Sequence, residues 1–249
     1  QPLLGLRAGF GSFEAEREAS FFTTGGLAAV HSAGRDRNSI WEGLTNKETY
    51  GTSGDRILLW FDLIQNDSIF PMGSTTSLNK NPVFRVKAVG AFEQKPGCPD
   101  YSSTNITEEE ISRICKNECY NPSDKRKNIS RIEVVKITPQ INPNEPVETL
   151  ISDVWKSFEC LPSQQGCEFE FIDEDYEKES RDSIYYVRAI QEASPVINAG
   201  NLRCTYNDAG ECIKVNICYG DSRTDKEDDC LTLSEERAWS SPIYVNYKI

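Results

Sequence analysis

The chain has 249 residues, of which 39 are Asp or Glu and 27 are Lys or Arg, so its net charge at pH 7 is −12. That length can bury a sizeable core, as one large β domain or as one and a half domains. The acidic charge argues against nucleic acid or an anionic membrane surface as a partner. No apolar run reaches the roughly 18 residues of a membrane-spanning helix, so we expect no membrane insertion.

Residues 25–61, GGLAAVHSAGRDRNSIWEGLTNKETYGTSGDRILLWF, follow the order strand, loop, helix, tight turn and strand. Leu27–His31 is a short apolar run that ends in polar residues, which is typical of a buried strand whose C-terminal end meets a site. Ile57–Phe61 begins a second buried strand. One such unit cannot enclose a core, so the pattern predicts the closing unit of an incomplete (β/α) barrel. We expect both strands to pair with strands from outside residues 1–249, or to lie at a sheet edge covered by the N-terminal segment of the chain.

The helix between these strands is predicted from its beginning and from its apolar face. Ser39 and Glu42 have the S-x-x-E spacing of a capping box. Ile40, Trp41 and Leu44 lie on one face of the helix. The glycine-containing turn GTSG that follows breaks the helix.

After residue 62 the sequence changes from an α/β pattern to a β pattern. The strand candidates are Phe84–Ala88, Ile132–Ile137, Ile184–Ile190, Ile213–Ile217 and Ile243–Tyr247. Gly, Pro, Asn and Asp separate them, as in a sandwich joined by long loops. We therefore divide the chain into residues 1–70, the C-terminal piece of a (β/α)-barrel domain, and residues 71–249, a β-rich, sandwich-like domain. Within the latter, residues 96–127 form an insertion that carries one helix, Glu108–Lys116, capped by Thr107.

Nine cysteines and a single methionine are unusual for a cytosolic enzyme and common in exported proteins. We expect three disulfides, each of which closes a short loop between strands: Cys160–Cys167, Cys204–Cys212 and Cys218–Cys230. Cys98, Cys115 and Cys119 lie in the insertion, where any two could pair, and the odd count leaves one thiol free or paired outside the chain. Zinc binding is the alternative, but the sequence has no C-x-x-C motif. We therefore predict a periplasmic or secreted protein.

Several of these blocks carry a resemblance to a known family. They are G-G-L-A-A-V-H, S-I-W-E-G-L-x-x-K-E-x-Y-G-T-S-G-x-R-I, Ala88–Asp100, Glu118–Asp124, Tyr185–Glu192 and Glu235–Val245. Together they resemble the C-terminal part of a bacterial family of unknown function that is similar to the PHP-type (polymerase and histidinol phosphatase) metal-dependent hydrolases. The resemblance implies a distorted (β/α) barrel with a divalent metal, followed by a β-rich region, and a phosphoester-type substrate. The family's His- and Asp-rich metal motifs lie in its N-terminal part, upstream of these blocks.

His31 is the one histidine of the chain, so a multi-histidine metal site cannot be built from these residues alone. At the C-terminal end of a barrel strand, its imidazole could ligate a metal or shuttle a proton; a supporting, structural role is the alternative. Five further residues are predicted to line the opening of the barrel near His31: Arg35, Arg37, Thr52, Ser53 and Arg56. The arginines would hold a phosphate or carboxylate bidentately, unless they are solvent-exposed and paired to acids. No signature of a catalytic Ser or Cys is present, so the catalytic residues stay unknown.

Two acidic clusters are calcium candidates, because calcium takes several oxygen ligands from flexible loops. The first contains Asp173, Glu174, Asp175 and Glu177. The second contains Asp221, Asp225, Asp228 and Asp229, inside the Cys218–Cys230 loop. Neither follows the EF-hand pattern, and solvated acidic loops are the alternative interpretation.

Two functions stay open at this point. In the first, the chain is the C-terminal portion of an exported metal-dependent hydrolase, completed by an N-terminal portion or a companion chain that supplies the metal ligands. In the second, it is a non-catalytic extracellular module that assembles with other chains, including copies of itself. The opening QPLLGLRAGF has neither an initiator methionine nor a signal-peptide pattern, which predicts a mature or internally cleaved polypeptide or part of a longer one. Fold resemblance alone does not choose between the two functions.

Overall fold

A computed structural model describes residues 25–104, 106–115, 119–197, 203–219, 222–225 and 227–248, and within them the chain is mostly β. The strands are β1 (Leu27–Val30), β2 (Thr49–Thr52), β3 (Leu58–Gln65), β4 (Ser68–Pro71), β5 (Thr75–Leu78), β6 (Val83–Val89), β7 (Phe92–Gln94), β8 (Pro122–Arg126), β9 (Ile129–Ile137), β10 (Ile151–Glu159), β11 (Cys167–Ile172), β12 (Ser183–Ile197), β13 (Cys204–Tyr206), β14 (Cys212–Val215), β15 (Leu231–Ser240) and β16 (Ile243–Tyr247). The α-helices are α1 (Arg37–Thr45), α2 (Glu108–Cys115) and α3 (Tyr176–Glu179), and 3₁₀ turns span Asp100–Thr104 and Val147–Leu150.

The larger sheet has eight strands and is organised around the long strand β12. On one side β12 pairs with β9, which pairs in turn with β10. On the other side it pairs first with β16 and then with β15. Beyond β15 lie β2 and, at the edge, β1, while β5 joins β16 in parallel. The first and last strands of the described chain therefore belong to one sheet.

The second sheet has the order β11-β6-β3-β4, and its inner face packs on the larger sheet. Successive side chains of a strand point to opposite faces of the sheet, so the inner face is formed by every second residue of β3 and β6, which is buried. Phe61, Phe84 and Phe171 form a stack on that face. Phe84 reaches the ring of Tyr185 on β12, with 4.6 Å between ring centroids. The two sheets thus share one core in a sandwich-like arrangement, and the strand predictions for β6, β9, β12, β14 and β16 are confirmed.

Four disulfides are formed, and they include the three predicted pairs: Cys160–Cys167, Cys204–Cys212 and Cys218–Cys230. The fourth pair, Cys98–Cys119, closes the predicted insertion. Thr107 begins helix α2 as predicted: its hydroxyl accepts from the Glu110 N–H, and the Glu110 carboxylate accepts from the Thr107 N–H. The described part of that helix spans Glu108–Cys115, and the last predicted residue, Lys116, lies outside the described residues.

The segment before residue 62 differs from its prediction in three ways. First, β1 is not a buried strand: it is the edge of the larger sheet, and Leu27 is 40% exposed. Second, the sequence interpretation missed β2, which runs antiparallel to β1, whereas consecutive strands of a (β/α) barrel are parallel. Third, the strand expected at Ile57–Phe61 pairs with β4 and β6 of the same chain, so the expectation of a partner from outside is wrong for it.

No barrel is closed by the described residues, and the incomplete barrel stays a prediction. The division at residue 70 also stays a prediction. Strand β4 spans that position, and β3 hydrogen-bonds to β6 across it. In addition, β2 pairs with β15 near the C-terminal end. The residues before and after position 70 are therefore joined through both sheets.

Candidate functional site

Helix α1 sets the position of His31 at the end of β1. The helix begins at an N-cap that the sequence interpretation placed elsewhere: the Asp36 carboxylate, not Ser39, accepts from the backbone N–H groups of Asn38 and Ser39. Further along, a Cβ at Gly43 would lie 2.4 Å from the His31 carbonyl oxygen. The close packing of α1 on the end of β1 therefore requires glycine at that position.

The His31 side chain is fixed by strand β3. Its Nε2 lies 2.8 Å from the Leu59 carbonyl oxygen, which can only accept a hydrogen bond. Nε2 therefore carries a proton, and Nδ1 is the ring nitrogen that this bond leaves for another group. The ring lies 5.5 Å from Tyr50 and 5.9 Å from Trp60, measured between centroids. His31 is thus an oriented, half-buried imidazole with one nitrogen available.

Acidic groups surround His31 on two sides. A cleft of about 400 Å³ beside it is lined by Ser32, Ala33, Ser39, Glu42, Gly43, Asn46 and Glu48 together with His31 itself. On the other side is Asp62 of β3, which the sequence interpretation did not select. Burial raises the pKa of Asp62, and the positive charges of His31 and Arg85 act in the opposite direction. Asp62 is therefore within electrostatic reach of both side chains.

Asp62 belongs to a row of polar residues on the outer face of the smaller sheet. A cleft of about 320 Å³ on that face is lined by Trp60, Asp62, Arg85, Lys87 and Glu168. The strand register explains this set, because Trp60 pairs with Lys87 and Asp62 with Arg85. The only sequence signal was the alternation LLWFDLIQ, which places residues 60 and 62 on the face opposite to Phe61.

The other residues predicted to line the mouth of the site do not gather around His31. Thr52 is buried between β1 and β15, and within the described structure its hydroxyl has no hydrogen-bond partner. The Ser53 hydroxyl donates to the Glu236 carboxylate. The Arg56 guanidinium lies 3.7 Å from the centre of the Tyr120 ring. The remaining two, Arg35 and Arg37, are exposed and flank the N-cap Asp36.

The calcium candidates are largely engaged by protein groups. In the first cluster, Asp173 is buried and accepts from Lys136 and Tyr185. Asp175, the N-cap of α3, makes no side-chain cap hydrogen bond.

In the second cluster, Arg203 holds Asp228 at 2.6 Å and lowers the pKa of its carboxyl. Asp225 accepts from the Glu227 backbone N–H, and Asp221 lies outside the described residues. Calcium binding stays a prediction for both clusters.

Among the residues that the structure covers, no group of three or more His, Cys, Asp or Glu side chains is arranged to hold a metal ion. Likewise, none of the helices described here is long and apolar enough to cross a membrane. Four disulfides indicate an extracellular or periplasmic protein, because such bonds persist in oxidising compartments.

Comparison with known proteins gives one result that bears on this site. A family model described as a protein of unknown function (DUF3604) matches residues 7–62. No curated protein and no solved structure matches the chain. The matched segment ends within β3 at Asp62, and it therefore contains His31, α1 and the edge strand β1.

Proposed function

We propose that this chain is the C-terminal portion of an exported, PHP-like metal-dependent hydrolase. In this proposal an N-terminal portion or a companion chain supplies the metal ligands, and the substrate is of the phosphoester type. Two kinds of support exist: the resemblance of the separate sequence blocks, and the family match over the segment that holds His31. The chain is catalytically incomplete by itself.

The observation that carries the proposal is a surface of the matched segment that the described residues leave open, which we call the β1–α1 face. It consists of the outer edge of β1 with the exposed apolar side chains Leu27, Trp41 and Leu44. In the described structure β1 pairs only with β2, on one side. Trp41 is 69% exposed and Leu44 is 50% exposed. Soluble proteins normally cover an edge strand and avoid clustering large apolar side chains beside it, so this face is suited to a further strand and its apolar contacts.

The described residues do not fit a complete catalytic metal site. Such a site takes three or more protein ligands to fix its geometry, whereas the described chain brings only His31 and nearby carboxylates together. We therefore derive no catalytic step through a metal. What His31 offers is an imidazole oriented through Nε2 whose Nδ1 can hold or move a proton, with Glu48 in the same cleft and Asp62 within electrostatic reach.

The first test is activity with and without the N-terminal portion. Residues 1–249 alone should show no measurable metal-dependent phosphoesterase activity, and the N-terminal portion should restore it. In the restored protein, His31→Ala should lower activity about 10- to 100-fold, as expected for a side chain that orients catalytic groups without binding the metal. Metal-dependent turnover by the isolated chain, abolished by His31→Ala, would contradict the proposal.

The second test is assembly through the β1–α1 face. A buried Trp removes about 150–250 Å² from water, so covering the exposed part of Trp41 is worth about 3 kcal/mol at about 25 cal/mol per Å². Trp41→Ser should therefore weaken binding of the N-terminal portion about 100-fold. Ile69→Ser is the matched control, because Ile69 is 59% exposed but lies on β4 of the other sheet. Equal effects of both substitutions would count against this face.

One observation favours a second candidate function, a non-catalytic binding module. Trp60 is 37% exposed within a cleft that also contains acidic and basic side chains, and aromatic rings with polar neighbours are common in binding sites. If the N-terminal portion binds but the assembled protein has no hydrolase activity, this second function becomes the better explanation.

A further inference from the structure

Lys136 and Asp173 form a buried pair that bridges the two sheets. Lys136 lies on β9 of the larger sheet, at the position that continues the core-facing series Ile132 and Val134. Asp173 directly follows β11 of the smaller sheet. The Lys136 side chain is 6% exposed and that of Asp173 is 1% exposed, with 2.7 Å between Nζ and Oδ2. A primary amine and a carboxyl group are thus held in contact where water is largely excluded.

Two further side chains complete the arrangement. The Tyr185 hydroxyl donates to the same Oδ2 of Asp173 at 2.6 Å. Glu179 Oε2 lies 2.6 Å from Lys136 Nζ on the other side. Aromatic rings form the surroundings, with Nζ 5.5 Å from the centre of the Trp155 ring. One amine therefore faces two carboxylates, and a hydroxyl donor points at the oxygen of the carboxylate that is more deeply buried.

We propose that Lys136 and Asp173 form an intramolecular amide bond that joins the two sheets covalently. The proposal is independent of the hydrolase function. The reaction starts from the ion pair, in which Lys136 Nζ passes one proton to the Asp173 carboxylate across the 2.7 Å contact. Lys136 Nζ then attacks Asp173 Cγ, and Glu179 takes a proton from the nitrogen and returns it to the carboxyl hydroxyl, which leaves as water. The N–C bond forms, the C–O bond breaks, and no oxidant or reductant is needed.

The site provides three conditions that amide formation in water lacks: reacting groups held in contact, a hydrogen-bond donor to the developing oxyanion, and exclusion of water. Well-oriented reacting groups held in contact can reach effective concentrations of about 10⁵–10⁸ M, and Nζ lies 2.7 Å from one oxygen of the carboxyl group that it attacks. The Tyr185 hydroxyl is positioned to donate to the oxygen that becomes negative in the tetrahedral intermediate. Burial raises the pKa of Tyr185, so this hydroxyl stays protonated. Exclusion of water then protects the product from hydrolysis.

The test is the mass of the 249-residue chain after folding, followed by complete reduction and denaturation. We expect the mass to be lower than that of the sequence by one water molecule. Trypsin should yield peptide 132–156, uncleaved after Lys136, joined to peptide 157–178, which contains Asp173; because the two are adjacent in sequence, a free N-terminus at Ser157 distinguishes this link from a missed cleavage after Lys156. Because both cysteines of the Cys160–Cys167 bridge lie within peptide 157–178, a disulfide cannot account for the link. A full sequence mass with separate peptides after prolonged incubation of the folded protein would overturn the proposal, leaving an ion pair only.

Substitutions separate the chemistry from folding. Lys136→Arg keeps the charge but cannot form the bond, so it should restore the full mass. Asp173→Asn should still react but release ammonia, giving a product with the same mass as the wild-type product. Tyr185→Phe should slow bond formation on the order of 100-fold, as does removal of one oxyanion donor elsewhere. If Lys136→Arg does not fold, the wild-type mass still decides the question.

Discussion

The Cys160–Cys167 disulfide should stabilise the fold more than a bridge of almost equal loop length elsewhere in the chain. It joins the end of β10, in the larger sheet, to the start of β11, in the smaller sheet, and Cys167 is 9% exposed. The two cysteines are 7 residues apart in sequence. By restricting the unfolded chain, a bridge across a loop of this length stabilises the folded state by about 2.5 kcal/mol. Replacing both cysteines by serine should therefore lower the free energy of unfolding by about 2–3 kcal/mol.

The Cys204–Cys212 bridge is the matched control. Its separation of 8 gives nearly the same loop entropy, about 2.6 kcal/mol. It lies, however, in the β13–β14 hairpin, a separate two-stranded sheet with exposed Ile213 and Val215. Such a hairpin can open without the core, so its double serine variant should change the global unfolding free energy by less than about 0.5 kcal/mol.

Both variants can be compared by urea unfolding followed by tryptophan fluorescence, because Trp155 contacts the core ring of Phe171. The midpoint and the slope together give the free energy of unfolding. Equal losses in the two variants would mean that loop length alone sets the effect. No loss in the Cys160–Cys167 variant would refute the reasoning that this bridge constrains the two sheets.

Three further predictions concern single residues. Arg131 lowers the pKa of Glu235 from its ordinary 4.5, so this pair stabilises the fold above that pH and its contribution is lost on acidification; Arg131→Ala should flatten the acid limb of stability measured against pH. Burial raises the pKa of Asp62, so its contribution is present at low pH and is lost as the pH rises through the raised pKa; Asp62→Asn should match or exceed wild-type stability at pH 7, and a large loss there would contradict this. At Gly90 a Cβ would lie 1.8 Å from the Lys127 carbonyl oxygen, whereas at Gly25 it would meet nothing within 4 Å; Gly90→Ala should cost about 1–3 kcal/mol in thermal unfolding, and Gly25→Ala should cost far less.

Local sequence signals were sufficient to predict most of the strands, the helix start and three disulfides of the β-rich region. Strand β16 was predicted with its observed bounds, because the β-favouring run Ile243–Tyr247 begins directly after Pro242. The Thr107 cap and the acidic first turn that follows it located the start of α2 from the sequence. Three disulfides could be paired because each closes a loop between neighbouring strands, so that sequence proximity determined the partner.

The sequence predictions were wrong or incomplete where the structure is determined by contacts between distant parts of the chain or by backbone geometry. Strand β2 has the sequence TYGT, which is short and contains glycine, and it is held as a strand by hydrogen bonds to β15 near the other end of the chain. At the start of α1, Asp36 and Ser39 both have side chains able to cap a helix, and only the backbone geometry selects Asp36. Asp62 could not be chosen from 39 acidic residues, since its importance comes from the proximity of His31 and Arg85 across strands.

The place of β2 in the larger sheet has a consequence for the order of events during biogenesis. One neighbour of β2 is β1, which precedes it closely in the sequence, and the other is β15, which lies far downstream. When the chain is synthesised from its N-terminal side, β2 can therefore pair with β1 long before β15 exists. Such long-range pairing is slow, so the larger sheet can be completed only after β15 has been made.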